Sequence, residues 1–128
     1  MDSRGMCLVI EDDPDVRALL CFILVNEGFQ AQATATGLEG VAAAKELDPV
    51  LITLDVGLPD LDGHEVARRI RKETTAPLVI ITASAKPDDE LEAMASGATA
   101  YLAKPFRPED LRKIIHELLP PRTPETTT

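Results

Sequence analysis

A chain of 128 residues with 45% hydrophobic and 27% charged side chains is long enough for one domain with its own core and too short for two. A net charge of −9 argues against a domain that grips nucleic acid directly, since phosphate backbones are held by a basic face; the acidity serves solubility first. With aromatics at 3% and no Trp, the core has to come from Val, Ile, Leu and Ala. Cys7 and Cys21 lie in apolar patterns without CxxC spacing or neighbouring histidines. They read as small buried hydrophobes of a reducing cytoplasm rather than metal or redox ligands. Residues 1–5 have no secretory or transit character, and no apolar run approaches membrane-spanning length. The expectation is a soluble cytoplasmic domain without membrane contact.

The first predicted strand is residues 6–10, and it ends in Glu11, Asp12 and Asp13. A helix follows at once: Asp13 can cap it, Pro14 fits its first position, and Val16, Leu19, Leu20, Ile23 and Leu24 recur at helical spacing until Gly28. Residues 29–35 make a weaker strand of alternating small and polar side chains, suited to a sheet edge. Thr36 with Glu39 has capping-box form and opens an Ala-rich helix through about Leu47, which Asp48-Pro49 breaks. Residues 50–55 form an apolar strand ending in Asp55, followed by a loop punctuated by Gly57, Pro59 and Gly63.

A third helix is expected over 64–73, with Val66, Ala67 and Ile70 inward and Arg68, Arg69, Arg71 and Lys72 outside. The fourth strand, 77–81, leads into Thr82, Ala83 and Ser84. A fourth helix runs from near Pro87 to Gly97, with Asp88, Asp89 and Glu90 at the positive end of its dipole. Residues 100–103 are a short fifth strand ending in Lys104-Pro105-Phe106. The last helix opens at Pro108 and Glu109, has Leu111, Ile114, Ile115, Leu118 and Leu119 as its apolar face, and stops at Pro120-Pro121. Residues 120–128, rich in Pro and Thr, read as a tail or the root of a linker.

Five strand–helix units in strict alternation imply an α/β fold: a parallel sheet, right-handed crossovers and helices on both faces. The flavodoxin-like order 2-1-3-4-5 sets the two most apolar strands, the third and fourth, centrally with the first. In that order the strand ends carrying Glu11, Asp12, Asp13, Asp55, Thr82 and Lys104 surround one crevice, at the edge where open α/β sheets bind ligands. Each residue has a bland reading as a cap, a loop hydroxyl or a solvated charge. Together they make a carboxylate cluster that raises its own pKa values unless compensated. Lys104 and a hard divalent cation are the available compensation. Mg²⁺ takes oxygen ligands, commonly one or two carboxylates, so Glu11 or Asp12 with Asp55 and a loop carbonyl could serve. The pocket is then suited to Asp55 attacking a phosphoryl group.

The set Glu11-Asp12, Asp55 with Leu58-Pro59 and Asp62-Gly63, Thr82-Ala83, Tyr101 and Lys104-Pro105 resembles the receiver domain of two-component response regulators over residues 5–119. The resemblance implies a phosphoacceptor at Asp55. It implies Mg²⁺ held by Glu11, Asp12, Asp55 and the backbone carbonyl of Gly57. Thr82 is then a switch hydroxyl with Ala83 as its small neighbour, Tyr101 an aromatic switch, and Lys104 a phosphate contact followed by a cis bond to Pro105. It further implies a sensor histidine kinase or phosphotransfer protein as donor. Phosphorylation would remodel the face of the fourth helix, fifth strand and fifth helix for an effector domain or partner protein. A phosphorylation-dependent homodimer is among the partners implied. However, Thr99 and Ala100 stand where many regulators that dimerise through this face carry two acids. Gly57 and Ser84, two places after Asp55 and Thr82, offer no carboxylate or amide to orient an attacking water.

Two other readings compete. A phosphohydrolase would use Asp13-Pro14-Asp15 as its Asp-x-Asp, but Asp15 falls in the first helical turn, Arg17 occupies the expected Thr/Val place, and 128 residues leave no room for a cap domain. A phosphorylation-independent binding module would have lost some of these residues, yet all are present. There is no GxGxxG or GxxxxGK phosphate loop for a nucleotide or flavin. His64 and His116, on helices among charged neighbours, read as surface residues.

Overall fold

Short runs of Val, Ile and Leu become strands because their side chains fill both faces of a sheet covered by helices. In the computed structural model, which describes residues 3–83 and 86–120, strands and helices alternate throughout. They are β1 (Met6–Ile10), α1 (Pro14–Asn26), β2 (Gln30–Thr34), α2 (Gly37–Leu47), β3 (Leu51–Asp55), α3 (Gly63–Arg71), β4 (Leu78–Thr82), α4 (Pro87–Ala95), β5 (Ala100–Ala103) and α5 (Pro108–Leu118). The expectations for Ser84 and for the tail beyond Pro120 fall outside the described residues. All strand pairs are parallel, in the expected order β2-β1-β3-β4-β5. No helix among the described residues is long and apolar enough to cross a membrane.

Strand alternation sorts the core into two layers. Leu8 and Ile10 of β1, Ile52 and Leu54 of β3, and Leu78 and Ile80 of β4 meet α2, α3 and α4 through Ala43, Ala44, Val66, Ala67, Ile70 and Ala93. The alternate residues Cys7, Val9, Leu51, Val79, Ile81 and Leu102 meet α1 and α5 through Leu20, Ile23, Leu24, Leu111 and Ile115. The period of two thus assigns each strand residue a face once the sheet is placed. Strand β2 is the polar edge: Gln30 and Gln32 are exposed, and the buried Phe29 precedes the strand instead of belonging to it.

Helix ends follow local chemistry. The Asp13 carboxylate accepts the N–H groups of Asp15 and Val16 at 2.8 and 3.2 Å, Pro14 occupies the first position, and Gly28 (φ +96°) ends α1. Thr36 Oγ1 accepts the Glu39 N–H at 3.2 Å, and Asp48 turns left-handed (φ +50°) to end α2.

Three side chains depart from the sequence expectation, and the first is Cys21, which is half-buried instead of buried. His64 is mostly buried, with 12% of its side chain exposed, and its Nε2 lies 3.6 Å from Glu92 Oε1 on α4. The helical spacing that places it outward carries no sign of Glu92 on α4, which the start of α3 faces. His116 is exposed as expected and faces Glu27.

Arg71, expected to decorate the outside of α3, turns back into the fold. Its guanidinium donates to the carbonyls of Gly97 at 2.8 Å, Ala76 at 2.7 Å and Thr74 at 3.3 Å, and to Thr99 Oγ1 at 3.3 Å. That same Thr99 oxygen accepts the Leu78 N–H at 3.0 Å, so the fork ties the start of β4 to the loop before β5. Arg71→Ala leaves these part-buried carbonyls without their charged donor and should lower unfolding free energy by about 2 kcal/mol in urea melts. Arg71→Lys, lacking the planar fork, should restore only part of it.

Candidate functional site: an acidic pocket at the carboxyl edge of the sheet

Register assembles the pocket. Ile10 pairs with Leu54, so Glu11 leaves β1 beside Asp55. Asp55 pairs with Ile81, and Thr82 pairs with Ala103. The Lys104 N–H donates to the Thr82 carbonyl at 2.7 Å, which brings the end of β5 to the same rim. Glu11, Asp55 and Lys104 continue the strand phase that faces α1 and α5. Thr82 is in phase with Leu78 and Ile80 and thus with the α4 side, where Tyr101 also packs.

Glu11 is fully buried, and Asp55 and Thr82 are only 5% and 6% exposed. Carboxylate oxygens of Glu11, Asp12 and Asp55 all lie within 4.8 Å of one another, with Asp12 exposed at the mouth. Lys104 Nζ stands 3.1 Å from Glu11 Oε1 and 3.5 Å from Asp55 Oδ1. Glu11 Oε1 meets this ammonium as an ion pair. The Asp13 N–H donates to Glu11 Oε2 at 3.2 Å and the Gly57 N–H to Asp55 Oδ1 at 3.2 Å.

Burial pushes the Glu11 carboxyl up to about 7; the Asp55 charge adds to this, while the Asp13 N–H and Lys104 oppose it. Burial pulls Lys104 down, yet its pairing with Glu11 and Asp55 leaves it above the ordinary lysine value. One ammonium therefore does not relieve the carboxylates, and three acids with oxygens this close together fit a hard cation ligated by oxygens.

Arg17 was legible only as a residue that spoiled a competing motif. Its Nη1 donates to the Glu11 and Asp12 carbonyls at 2.9 and 3.2 Å, fixing the backbone that presents both acids. Its position one turn into α1 carries no signal until the turn itself is built. Asp13 is a helix cap, as its bland reading had it. Lys104-Pro105 is cis, as the resemblance implied. Tyr101 is half-buried, with its hydroxyl pKa raised by burial and by the charges of Asp89 and Glu90. Ala83 is exposed beside Thr82.

An open parallel sheet with an acidic pocket and opposed lysine at its carboxyl edge defines an α/β domain built to receive a ligand there. The profile of the response regulator receiver domain matches residues 7–116. The chain is 37% identical over 112 residues to the DNA-binding response regulator MtrA of Mycolicibacterium smegmatis, covering 87% of this chain and 49% of that protein. It is 38% identical over 115 residues to the DNA-binding dual master transcriptional regulator RpaA of Synechocystis sp., covering 88% and 48%. The chain thus spans about half the length of these curated relatives.

Among solved structures, a two-component response regulator from Clostridium difficile matches with TM-score 0.86 at 28% identity, over 91% of this chain and 96% of that one. The receiver domain of the sensor histidine kinase PA1611 from Pseudomonas aeruginosa, solved with a magnesium ion coordinated in its active-site cleft, matches with TM-score 0.81 at 29% identity, over 89% and 96%. The chain belongs to the response regulator receiver domain family. It is a signalling module of phosphorelay systems rather than an enzyme, and its acidic cluster is compatible with Mg²⁺.

The loop after Asp55 closes through a tight contact. The Gly63 N–H donates to the Val56 carbonyl at 3.2 Å, and a Cβ on Gly63 would meet Val56 Cα at 2.3 Å. Backbone cannot swing aside as a side chain can. Gly63→Ala should therefore destabilise by about 2 kcal/mol or more in thermal melts, as overpacking against a fixed neighbour does.

Proposed function

We propose that this domain takes a phosphoryl group onto Asp55 from a phosphohistidine of a sensor histidine kinase or phosphotransfer protein. The acyl phosphate then resets the face of α4, β5 and α5 for an effector domain or partner protein. What supports this most directly is Lys104 set between the buried Glu11 and Asp55, with Asp12 at the mouth. Glu11, Asp12, Asp55 and the Gly57 carbonyl would hold Mg²⁺, which when bound supplies positive charge against the anionic donor and acceptor. An Asp55 carboxylate oxygen attacks phosphorus, the N–P bond breaks, and its electron pair leaves on the imidazole nitrogen. Lys104 offers its ammonium to the transferred phosphoryl oxygens.

The Thr82 hydroxyl offers a hydrogen bond to the same oxygens, and the small Ala83 beside it leaves room for their approach. A charge-assisted bond of that kind favours an inward position of the loop after β4. Thr82 and Tyr101 share the α4 side of the sheet, so a shift of the first opens space for the second to turn inward. The phosphate must prefer the reset state by a few kcal/mol for this to shift the population. Nucleic-acid contact is assigned to the effector, because this domain carries a charge of −9. A homodimer through α4, β5 and α5 would have to form without an acidic pair at Thr99 and Ala100, and the Thr99 hydroxyl is already engaged with Leu78 and Arg71.

Asp55→Asn should abolish labelling by acetyl phosphate in the presence of Mg²⁺; labelling undiminished in that variant would sink the assignment. Glu11→Gln combined with Asp12→Asn should remove the Mg²⁺ signal in titration calorimetry. Retention of wild-type Mg²⁺ affinity would move the metal site elsewhere.

A further inference from the structure

The loop after Asp55 has a third anchor that the site chemistry does not explain. Asp60 Oδ1 accepts the Gly37 N–H at 2.7 Å, and Oδ2 accepts the Leu38 N–H at 2.9 Å. These are the first two amides of α2, two of the orphan donors that every helix start presents. Thr36 serves the third, that of Glu39. A carboxylate from another element therefore completes the cap of α2, at the positive end of its dipole. The two amides hold the Asp60 carboxyl below its usual range, so it stays ionised near neutral pH.

The direction of this tie matters. Helix α2 is seated on the sheet through Ala43 and Ala44, which makes it a fixed base. The loop is pinned at its start by the Gly57 N–H on Asp55 Oδ1 and at its end by the Gly63 N–H on the Val56 carbonyl. Between these points Pro59, Asp60 and Asp62 are exposed, and Leu58 and Leu61 give partial apolar packing. Asp60 supplies a bidentate, charge-assisted grip from the middle of the loop to α2.

We infer that Asp60 is a positioning residue for the acidic site: by gripping the start of α2 it fixes the loop that carries Gly57, whose N–H meets Asp55 Oδ1 and whose carbonyl is the ligand in the Mg²⁺ reading above. The inference rests on the Mg²⁺ reading above. Mg²⁺ demands near-ideal octahedral geometry, whereas Ca²⁺ accepts a flexible ligand shell. A loosened loop must therefore weaken Mg²⁺ binding more than Ca²⁺ binding, which a purely structural cap would not do.

The test compares wild type, Asp60→Ala, Asp60→Asn, Thr36→Ala and Asp55→Asn by calorimetric titration with Mg²⁺ and with Ca²⁺, alongside thermal melts. Asp60→Ala should weaken Mg²⁺ by about tenfold, as loss of an outer-shell support does, and Ca²⁺ by less. Asp60→Asn, which keeps one acceptor oxygen, should fall between and carries the comparison if the alanine variant does not fold. Thr36→Ala removes the helix's own cap without touching the loop, so it should lower the melting temperature and leave Mg²⁺ affinity at the wild-type level. Equal Mg²⁺ losses in the Asp60 and Thr36 variants, or an unchanged Mg²⁺ affinity in Asp60→Ala where Asp55→Asn loses it, overturns the inference. If wild type and Asp55→Asn both show no Mg²⁺ signal, the metal reading itself fails and takes this inference with it.

Discussion

The pocket depends on one electrostatic constraint: Glu11, fully buried, and Asp55, nearly so, share the single ammonium of Lys104. Two carboxylates in a poorly solvated crevice repel each other, and a lysine at 3.1 and 3.5 Å compensates only in part. Burial first, and the Asp55 charge after it, keep the Glu11 carboxyl raised despite that lysine. Such a site gains from a further cation and is sensitive to any anion placed beside Asp55. That sensitivity suits a signalling module, because a change of charge at one atom alters the balance for every group on the rim.

The sheet converts that local constraint into something that can spread. Lys104 follows β5 directly and its amide is bonded to the Thr82 carbonyl, so the pocket's cation and hydroxyl share a backbone link. Thr82 belongs to the α4 side of the sheet, whereas Glu11, Asp55 and Lys104 are in phase with the α1 side. The pocket therefore straddles the sheet edge, and the hydroxyl is its member on the face where Tyr101 packs. Arg71 holds the loop before β5 to the start of β4, which leaves that end of the face braced.

Much of this was legible beforehand. Apolar runs ending in acids, a threonine or a lysine, separated by helical periodicity, place Glu11, Asp55, Thr82 and Lys104 at strand ends, and parallel alternation puts those ends on one edge. Helix starts at Asp13 and Thr36 were equally readable, because capping depends on residues within a few places of each other. The roles that escaped reading depend on how one segment meets another. Arg71 sits at a solvent-facing helical spacing, but its partners lie in the loops after α3 and α4. His64 faces Glu92 of α4, and Arg17 and Asp60 act on backbone groups of other segments. A charged side chain carries no sequence mark of which distant carbonyl or amide it will meet.

The sequence by itself determined the element order and set the acids, the threonine and the lysine at strand ends, since these follow from periodicity, capping and charge over short stretches. Only the tertiary structure decided the distances that make the groups act together, the depth of Glu11, and the ties from Arg71 and Asp60. The physical reason is that burial and hydrogen bonding to backbone depend on which segments become neighbours. Neighbours 22 to 26 residues apart, such as Asp60 with Leu38 and Arg71 with Gly97, are set by packing of the helices on the sheet and not by any local pattern.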